Sequence, residues 1–168
     1  MNTTKLIATY GNPGSGAAPD PAWVKANIIY CGGGGKAERP AMPGVPTRFW
    51  FAVHRLVEPR MRRAFAAAKV ASSDYKIATA GCFVFRHQRH DPRRPLSNHS
   101  WGVAVDIDAP ANGGRYIDAP PAPWSPAWRK LWPNGLPQAF VEAFEDEGFA
   151  WGGRWKGFCD PMHFESRT

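Results

Sequence analysis

The sequence has few cysteines, no long apolar run and no internal repeat. Its three cysteines, Cys31, Cys82 and Cys159, form no Cys-x-x-Cys pair, so we expect buried free thiols rather than a thiolate metal site or a disulfide framework. No stretch approaches the length of a membrane span, and the first residues lack the apolar core of a secretory signal. We therefore expect no stable membrane insertion and synthesis in the cytoplasm, with delivery by another component if the substrate lies outside.

Aromatic and turn-forming residues, in contrast, are plentiful. Eight Trp, ten Phe and a hydrophobic fraction of 43% are too apolar for a disordered chain, while 17 Gly and 17 Pro predict many loops. Three tryptophans next to or near glycines, Trp101, Trp151 and Trp155, are interpreted as core residues rather than as the lining of a groove. At 168 residues the chain is long enough to bury a hydrophobic core without disulfides or bound metals to stabilise it. These features predict a loop-rich α+β protein.

The predicted organisation is a single domain, residues 1–168. A Gly/Pro-rich arm at 1–46 packs through the apolar island Val24–Tyr30 onto a core at 47–168. In the core, Val103, Val105 and Ile107 alternate with small and acidic residues, which predicts a strand over Gly102–Asp108. Breakers and spacing predict the other elements: a helix from just before Pro59 to about Val70, a strand at 75–86, a long loop at 109–137, a helix at 138–147 and short strands at 149–151 and 162–165.

The charge of the chain favours an anionic partner. A net charge of +7 suits nucleic acid, a membrane surface or the phosphate-bearing polymers of a bacterial envelope. The basic residues are dispersed, and the densest run, Arg60, Arg62 and Arg63, is interpreted as a solvated helix face. No aromatic-basic motif of a known nucleic-acid module is present, so nucleic acid is not the expected partner.

The first segment that carries chemistry is SNHSWGVAVDID. His99 lies on the loop that enters the predicted strand, and Asp106 projects from the face of that strand that carries small residues. Gly102 and Ala104 on this face leave room beside the carboxylate for an ion or a substrate.

The second segment is CDPMHFE, near the end of the chain. Asp160 precedes a turn constrained by Pro161, and His163 begins a strand whose outer face it shares with Glu165. Two imidazoles and one carboxylate are a common ligand set for catalytic zinc, with water in the fourth position. A further carboxylate near that water can accept its proton and pass it on, a role that suits Asp160.

Each of these residues also has a simpler interpretation. His99 could cap a turn, and Asp106 or Asp160 alone could end a strand or cap a helix. His87 and His90 are close enough in sequence for a rival metal site, although a position in a basic loop facing solvent or substrate explains them as well. The occurrence of both segments in this order favours the metal site.

The two segments together resemble the zinc D-Ala-D-Ala carboxypeptidase and L-alanyl-D-glutamate peptidase family, which includes several phage endolysins. The pattern is Ser-x-His, then Gly-x-Ala-x-Asp, then an acid and His-Phe, within a resemblance that spans roughly residues 48–165. It implies a small antiparallel sheet with helices on one side and one Zn²⁺ per chain on its open face. The roles it implies are metal ligation by His99, Asp106 and His163, base catalysis by Asp160, binding of substrate carboxylate and polarisation of the scissile carbonyl by Arg86, and substrate contact by Ser97.

The function implied by the resemblance is hydrolysis of peptidoglycan stem peptides. We expect an L-alanyl-D-glutamate endopeptidase of the phage endolysin type, monomeric, exported with the aid of a holin and active at the cell wall or periplasm. Arg86 would equally suit a D-alanyl-D-alanine carboxypeptidase, whose substrate ends in a carboxylate. A third alternative, from another class, is a noncatalytic zinc-stabilised module that binds the cell wall.

Overall fold

The structure, a computed structural model, describes residues 2–33 and 37–167 and combines helices with antiparallel sheets. The helices are α1 (Thr3–Tyr10), α2 (Pro21–Asn27), α3 (Glu58–Ala71), α4 (Ala109–Asn112), α5 (Pro126–Leu131) and α6 (Gln138–Asp146). The strands are β1 (Ile28–Cys31), β2 (Phe51–His54), β3 (Ala80–Gly81), β4 (Ala104–Ile107), β5 (Arg115–Ile117), β6 (Phe149–Trp151), β7 (Gly157–Cys159) and β8 (His163–Ser166).

The largest sheet has four antiparallel strands in the order β3-β4-β8-β6. Strands β4 and β8 lie in the middle. The branched residues Val105 and Ile107 of β4, and Val103 just before it, are fully buried, as their alternation predicted. Two further two-stranded sheets, β1-β2 and β5-β7, flank it. The prediction of an α+β fold with a small antiparallel sheet is confirmed.

Helices α3 and α6 cover one face of this sheet. The Phe144 ring of α6 lies 5.0 Å from Phe65 of α3, 4.6 Å from Phe164 of β8 and 5.7 Å from Phe149 of β6. Burying a phenylalanine in such a cluster stabilises the fold by roughly 1.5–3 kcal/mol. The helices therefore occupy the apolar face and leave the opposite face of β4 and β8 for polar side chains.

Both core helices begin and end close to where the sequence predicted. Helix α3 carries Pro59 in its first turn, where a missing N–H costs nothing, and it buries Met61, Phe65 and Ala68 on one side. Helix α6 ends just before Gly148, whose φ of 80° is the left-handed conformation that terminates many helices.

The Gly/Pro-rich arm contains more regular structure than the sequence suggested. The apolar island forms α2 and β1, and the Asp20 carboxylate caps α2 by accepting hydrogen bonds from the N–H groups of Ala22 and Trp23. Strand β1 then pairs with β2. The division of the chain at residue 46 stays a prediction.

Two segments differ from their predicted secondary structure. The proline-rich segment 109–137, expected to be a loop, contains α4, α5 and β5, and β5 pairs with β7 about forty residues further on. Of the strand expected at 75–86, only β3 is regular; beyond it, Phe83 and Val84 donate backbone hydrogen bonds to Ala52 and His99. The pairing of β5 and the contacts that follow β3 join residues that are distant in sequence, which local periodicity cannot register.

The three cysteines are free and buried, as expected. Within residues 2–33 and 37–167, no helix has the length and apolar character that crossing a bilayer requires.

Candidate metal centre and its cleft

The three predicted ligands come from three elements that meet on the polar face of the sheet. His99 lies in a 3₁₀ turn, Asn98–Trp101, that ends at Gly102 with a φ of 66°. Asp106 lies in β4 and His163 opens β8, and the two are directly paired across the strands. Because paired residues project to the same face, the sheet register itself brings these two side chains together.

The ligand atoms of this trio are closely grouped. Nε2 of His99 lies 3.3 Å from Nδ1 of His163 and 3.2 Å from Oδ2 of Asp106, and Nδ1 of His163 lies 2.9 Å from Oδ1 of Asp106. Tetrahedral zinc with bonds of about 2.0–2.1 Å separates neighbouring ligand atoms by roughly 3.3 Å. The spacing therefore fits a single zinc ion.

The hydrogen bonds of the two imidazoles point their lone pairs at the same spot. His99 Nδ1–H donates to the Cys82 carbonyl at 2.7 Å, so its Nε2 is left without a proton in the neutral ring. His163 Nε2–H donates to Glu165 at 3.2 Å, which leaves its Nδ1 as the acceptor. Two nitrogen lone pairs and the Asp106 carboxylate thus converge, and only a cation satisfies all three.

The pKa values of the trio reflect this concentration of acceptors. Burial acts to raise the pKa of Asp106, but the rings of His163 and His99, which donate to this carboxylate when they are protonated, outweigh burial and hold the pKa well below its usual range. Burial acts to lower the pKa of His163, but its bonds to Asp106 and Glu165 raise the pKa to about 9. A proton and a metal ion would therefore compete for the same site.

Glu165 and Asn98 orient His163, a role that the sequence analysis did not assign. The Asn98 side-chain amide donates to Oε2 of Glu165 at 2.6 Å, and the same oxygen accepts the bond from His163. Carboxylates in this position fix the tautomer and direction of a ligating imidazole. The signal was present, because Glu165 follows His163 by two residues and shares its strand face.

Asp160 is buried beside the trio. Its Oδ1 has no hydrogen-bond partner among the described residues and lies where a Cβ on Gly114 would approach to 2.8 Å. Burial raises the pKa of Asp160 to about 6, with His163 lowering it and Asp106 raising it further. A carboxyl group with such a pKa can both accept and donate a proton near neutral pH.

A cleft of about 600 Å³ opens in front of these groups. Arg86, Ser97 and Asp160 all line it, so the structure brings every predicted site residue to one place. The backbone of Arg86 is held by Ser97 and Ser100, whose N–H and hydroxyl groups donate to its carbonyl at 2.9 and 2.8 Å.

Among the described residues, His87 and His90 form no metal-capable group; His87 is bonded to the Arg94 carbonyl, and His90 lines the cleft. Two interpretations from the sequence are corrected. A glycine is needed at position 102 because a Cβ there would approach the backbone nitrogen of His54 to 2.8 Å. It does not serve to leave room for an ion. Trp155, expected in the core, lines the cleft with its ring 5.2 Å from His163.

Comparison with known proteins agrees with the motifs. No solved structure is significantly similar to the chain. The family model of D-alanyl-D-alanine carboxypeptidases matches residues 90–166, just under half of the chain. The match includes all three members of the trio and Asp160, whereas Arg86 lies before it. Residues 90–166, the segment that carries the site, are therefore similar to D-alanyl-D-alanine carboxypeptidases, and this similarity supports a peptidase.

Proposed function

We propose that the protein is a zinc metallopeptidase that hydrolyses peptidoglycan stem peptides. The observation that carries the proposal is the convergence of two imidazole lone pairs and one carboxylate on a single point, next to a buried carboxyl group and a cleft. In this proposal His99, Asp106 and His163 hold one Zn²⁺. When bound, zinc supplies Lewis acidity, lowering the pKa of water and polarising a carbonyl.

The remaining residues supply proton transfer and charge stabilisation. Asp160 accepts a proton from the attacking water and returns it to the departing amine, for which its raised pKa is suited. Arg86 holds a substrate carboxylate or the oxygen on which negative charge develops. Ser97, buried at the wall of the cleft, contacts the peptide backbone. Glu165 keeps His163 in its ligating tautomer.

The bond we propose is the one between L-alanine and D-glutamate, as in an endolysin of phage type. The net charge of +7 suits attraction to an anionic envelope. We further propose a monomer that reaches the cell wall with the aid of a holin. The description of the matched family favours a second candidate, the D-alanyl-D-alanine carboxypeptidase.

Digestion of purified peptidoglycan separates these two candidates. Mass spectrometry of the muropeptides should show new N-terminal D-glutamate for the endopeptidase. Release of free D-alanine would instead identify the carboxypeptidase. Zinc binding without either product would identify a noncatalytic module.

The Asp160→Asn variant tests the proposed base. Because Asp160 is not a ligand, we expect the variant to keep its fold and bound zinc while turnover falls by about 10²–10⁴-fold. The matched control is Asp118→Asn, which changes an exposed carboxylate in the same way and should leave turnover unchanged. Unchanged turnover in Asp160→Asn would remove Asp160 from the mechanism.

A further inference from the structure

One wall of the cleft is lined by Phe158 of the β5-β7 ribbon and by Gln88, Arg89 and His90 of the loop 87–96. Arg89, on this loop, lies over two aromatic rings of the ribbon, with its guanidinium carbon 4.9 Å from the Tyr116 centroid and 5.3 Å from that of Phe158. The two rings are themselves 4.9 Å apart. This stacking occupies the flat face of the guanidinium and leaves the N–H groups at its edge able to bind a planar anion.

The loop holds Arg89 in place instead of leaving it to move freely. Its two ends are joined by a bridge between His87 and Leu96, and Gln88 N–H donates to the Pro95 carbonyl at 3.0 Å. Arg89 and His90 both adopt left-handed backbone conformations, with φ values of 56° and 57°. Such conformations cost about 1 kcal/mol or more per residue outside glycine and persist where surrounding contacts fix them.

The arginines and the lysine that line the cleft form no salt bridge with any residue that the structure describes. Among the described residues, none of Arg86, Arg89 and Lys156 takes part in an ion pair. Neighbouring arginines outside the cleft do: Arg93 pairs with Asp91 at 2.9 Å, and Arg154 pairs with Glu145 at 2.8 Å.

The acidic groups near the cleft lie beside the candidate metal ligands and not beside this wall. Glu165 is bonded to Asn98 and His163, and Asp106 to the two imidazoles. Asp160 is buried, and its charge interacts with those of His163 and Arg86. Lys156 lies just before β7, two residues from the Phe158 ring on which Arg89 stacks. The wall therefore presents positive charge toward whatever enters the cleft.

We infer that Arg89 and Lys156 form a second carboxylate subsite, distinct from Arg86, that recognises a free carboxylate on an acidic peptide and discriminates against its amide. The inference rests on the proposed function for the identity of the ligand as a peptide. Arg89 is then a specificity-determining residue, because its guanidinium can form a charge-assisted bidentate contact with a carboxylate but not with a carboxamide.

The test uses two synthetic stem peptides that differ only in one free carboxylate or its carboxamide. We expect the zinc-loaded wild-type protein to prefer the carboxylate by about tenfold in kcat/KM, and Arg89→Gln to bring the ratio close to one. The rate on the carboxamide should barely change. Arg93→Gln, on the same loop but already paired with Asp91, is the matched control and should keep the wild-type ratio.

Binding of the same peptides to Asp160→Asn and to Asp160→Asn/Arg89→Gln, by calorimetry, separates this inference from the proposed function. Carboxylate-selective binding that depends on Arg89, without turnover in the wild type, would refute the peptidase and support the subsite. Turnover with equal kcat/KM for both peptides, or a preference that survives Arg89→Gln, would overturn the subsite alone. Equal affinities, or no binding of either peptide, would overturn it as well.

Discussion

His54 should make the stability of the protein depend on pH in a defined window. The ring is fully buried, with Nε2–H donating to the Tyr10 carbonyl at 3.4 Å and Nδ1 accepting from the Leu56 N–H at 3.2 Å. Burial lowers its pKa from 6.5 to about 4; the bond to Tyr10 opposes this shift and the charge of Arg55 adds to it. The native state therefore holds His54 neutral where the unfolded chain is protonated.

The sign and size of the effect follow from proton linkage. Between pH 6.5 and 4 the unfolded state binds more protons at this position, so the free energy of unfolding rises with pH there and falls on acidification. Each pKa unit corresponds to about 1.4 kcal/mol, so the full contribution is about 3 kcal/mol below pH 4. Between pH 7.5 and pH 5 the expected loss is about 2 kcal/mol.

The variant that isolates this contribution is His54→Asn, which keeps an acceptor for Leu56 but does not titrate. Urea unfolding of both proteins at pH 7.5 and pH 5, with a chelator present so that metal binding adds nothing, gives four free energies of unfolding. The variant should be less stable at pH 7.5 because it leaves a cavity, and that deficit should shrink by about 2 kcal/mol at pH 5. A deficit that is the same at both pH values would refute a neutral, buried His54.

Two further predictions concern the metal centre and the core. Glu165→Gln should weaken zinc affinity by about 10–100-fold in a competition titration with a chelating dye, because the carboxylate that orients the His163 ring is lost. Unchanged affinity would contradict this role of Glu165. Phe144→Ala should lower the free energy of unfolding by about 3–5 kcal/mol in urea, because this ring joins α3 and α6 to the sheet, and a loss below about 1 kcal/mol would show that the cluster contributes little.

The parts of the fold that the sequence predicted are those with local signals. The alternation of branched with small and acidic residues identified β4, and the helix-terminating Gly148 marked the end of α6. Both signals come from residues that are close together in the chain. The β5-β7 ribbon had no such signal, since its strands have three residues each and pair across a long interval. Strand length and distant pairing, rather than composition, made it unpredictable.

The sequence predicted the candidate metal ligands but not the groups that orient them. His99, Asp106 and His163 were found because each lies in a short motif whose chemistry is explicit. The Cys82 carbonyl that orients His99 could not be found, because a backbone acceptor leaves no mark on residue type. Arg89 was hidden for a similar reason, since its position depends on a left-handed turn and on rings of a ribbon that the sequence did not reveal.

The interlocking of Phe65 with Phe144 has a practical consequence for shortened versions of the protein. Residues 90–166 contain the motifs, but the helix that shields Phe144 comes from earlier in the chain, as does the main-chain oxygen of Gly11 that receives the Trp101 indole N–H at 2.9 Å. A fragment of residues 90–166 alone would expose these aromatic side chains to water. We expect such a fragment to aggregate rather than to fold. Boundaries for expression should follow the buried contacts instead of the extent of the motifs.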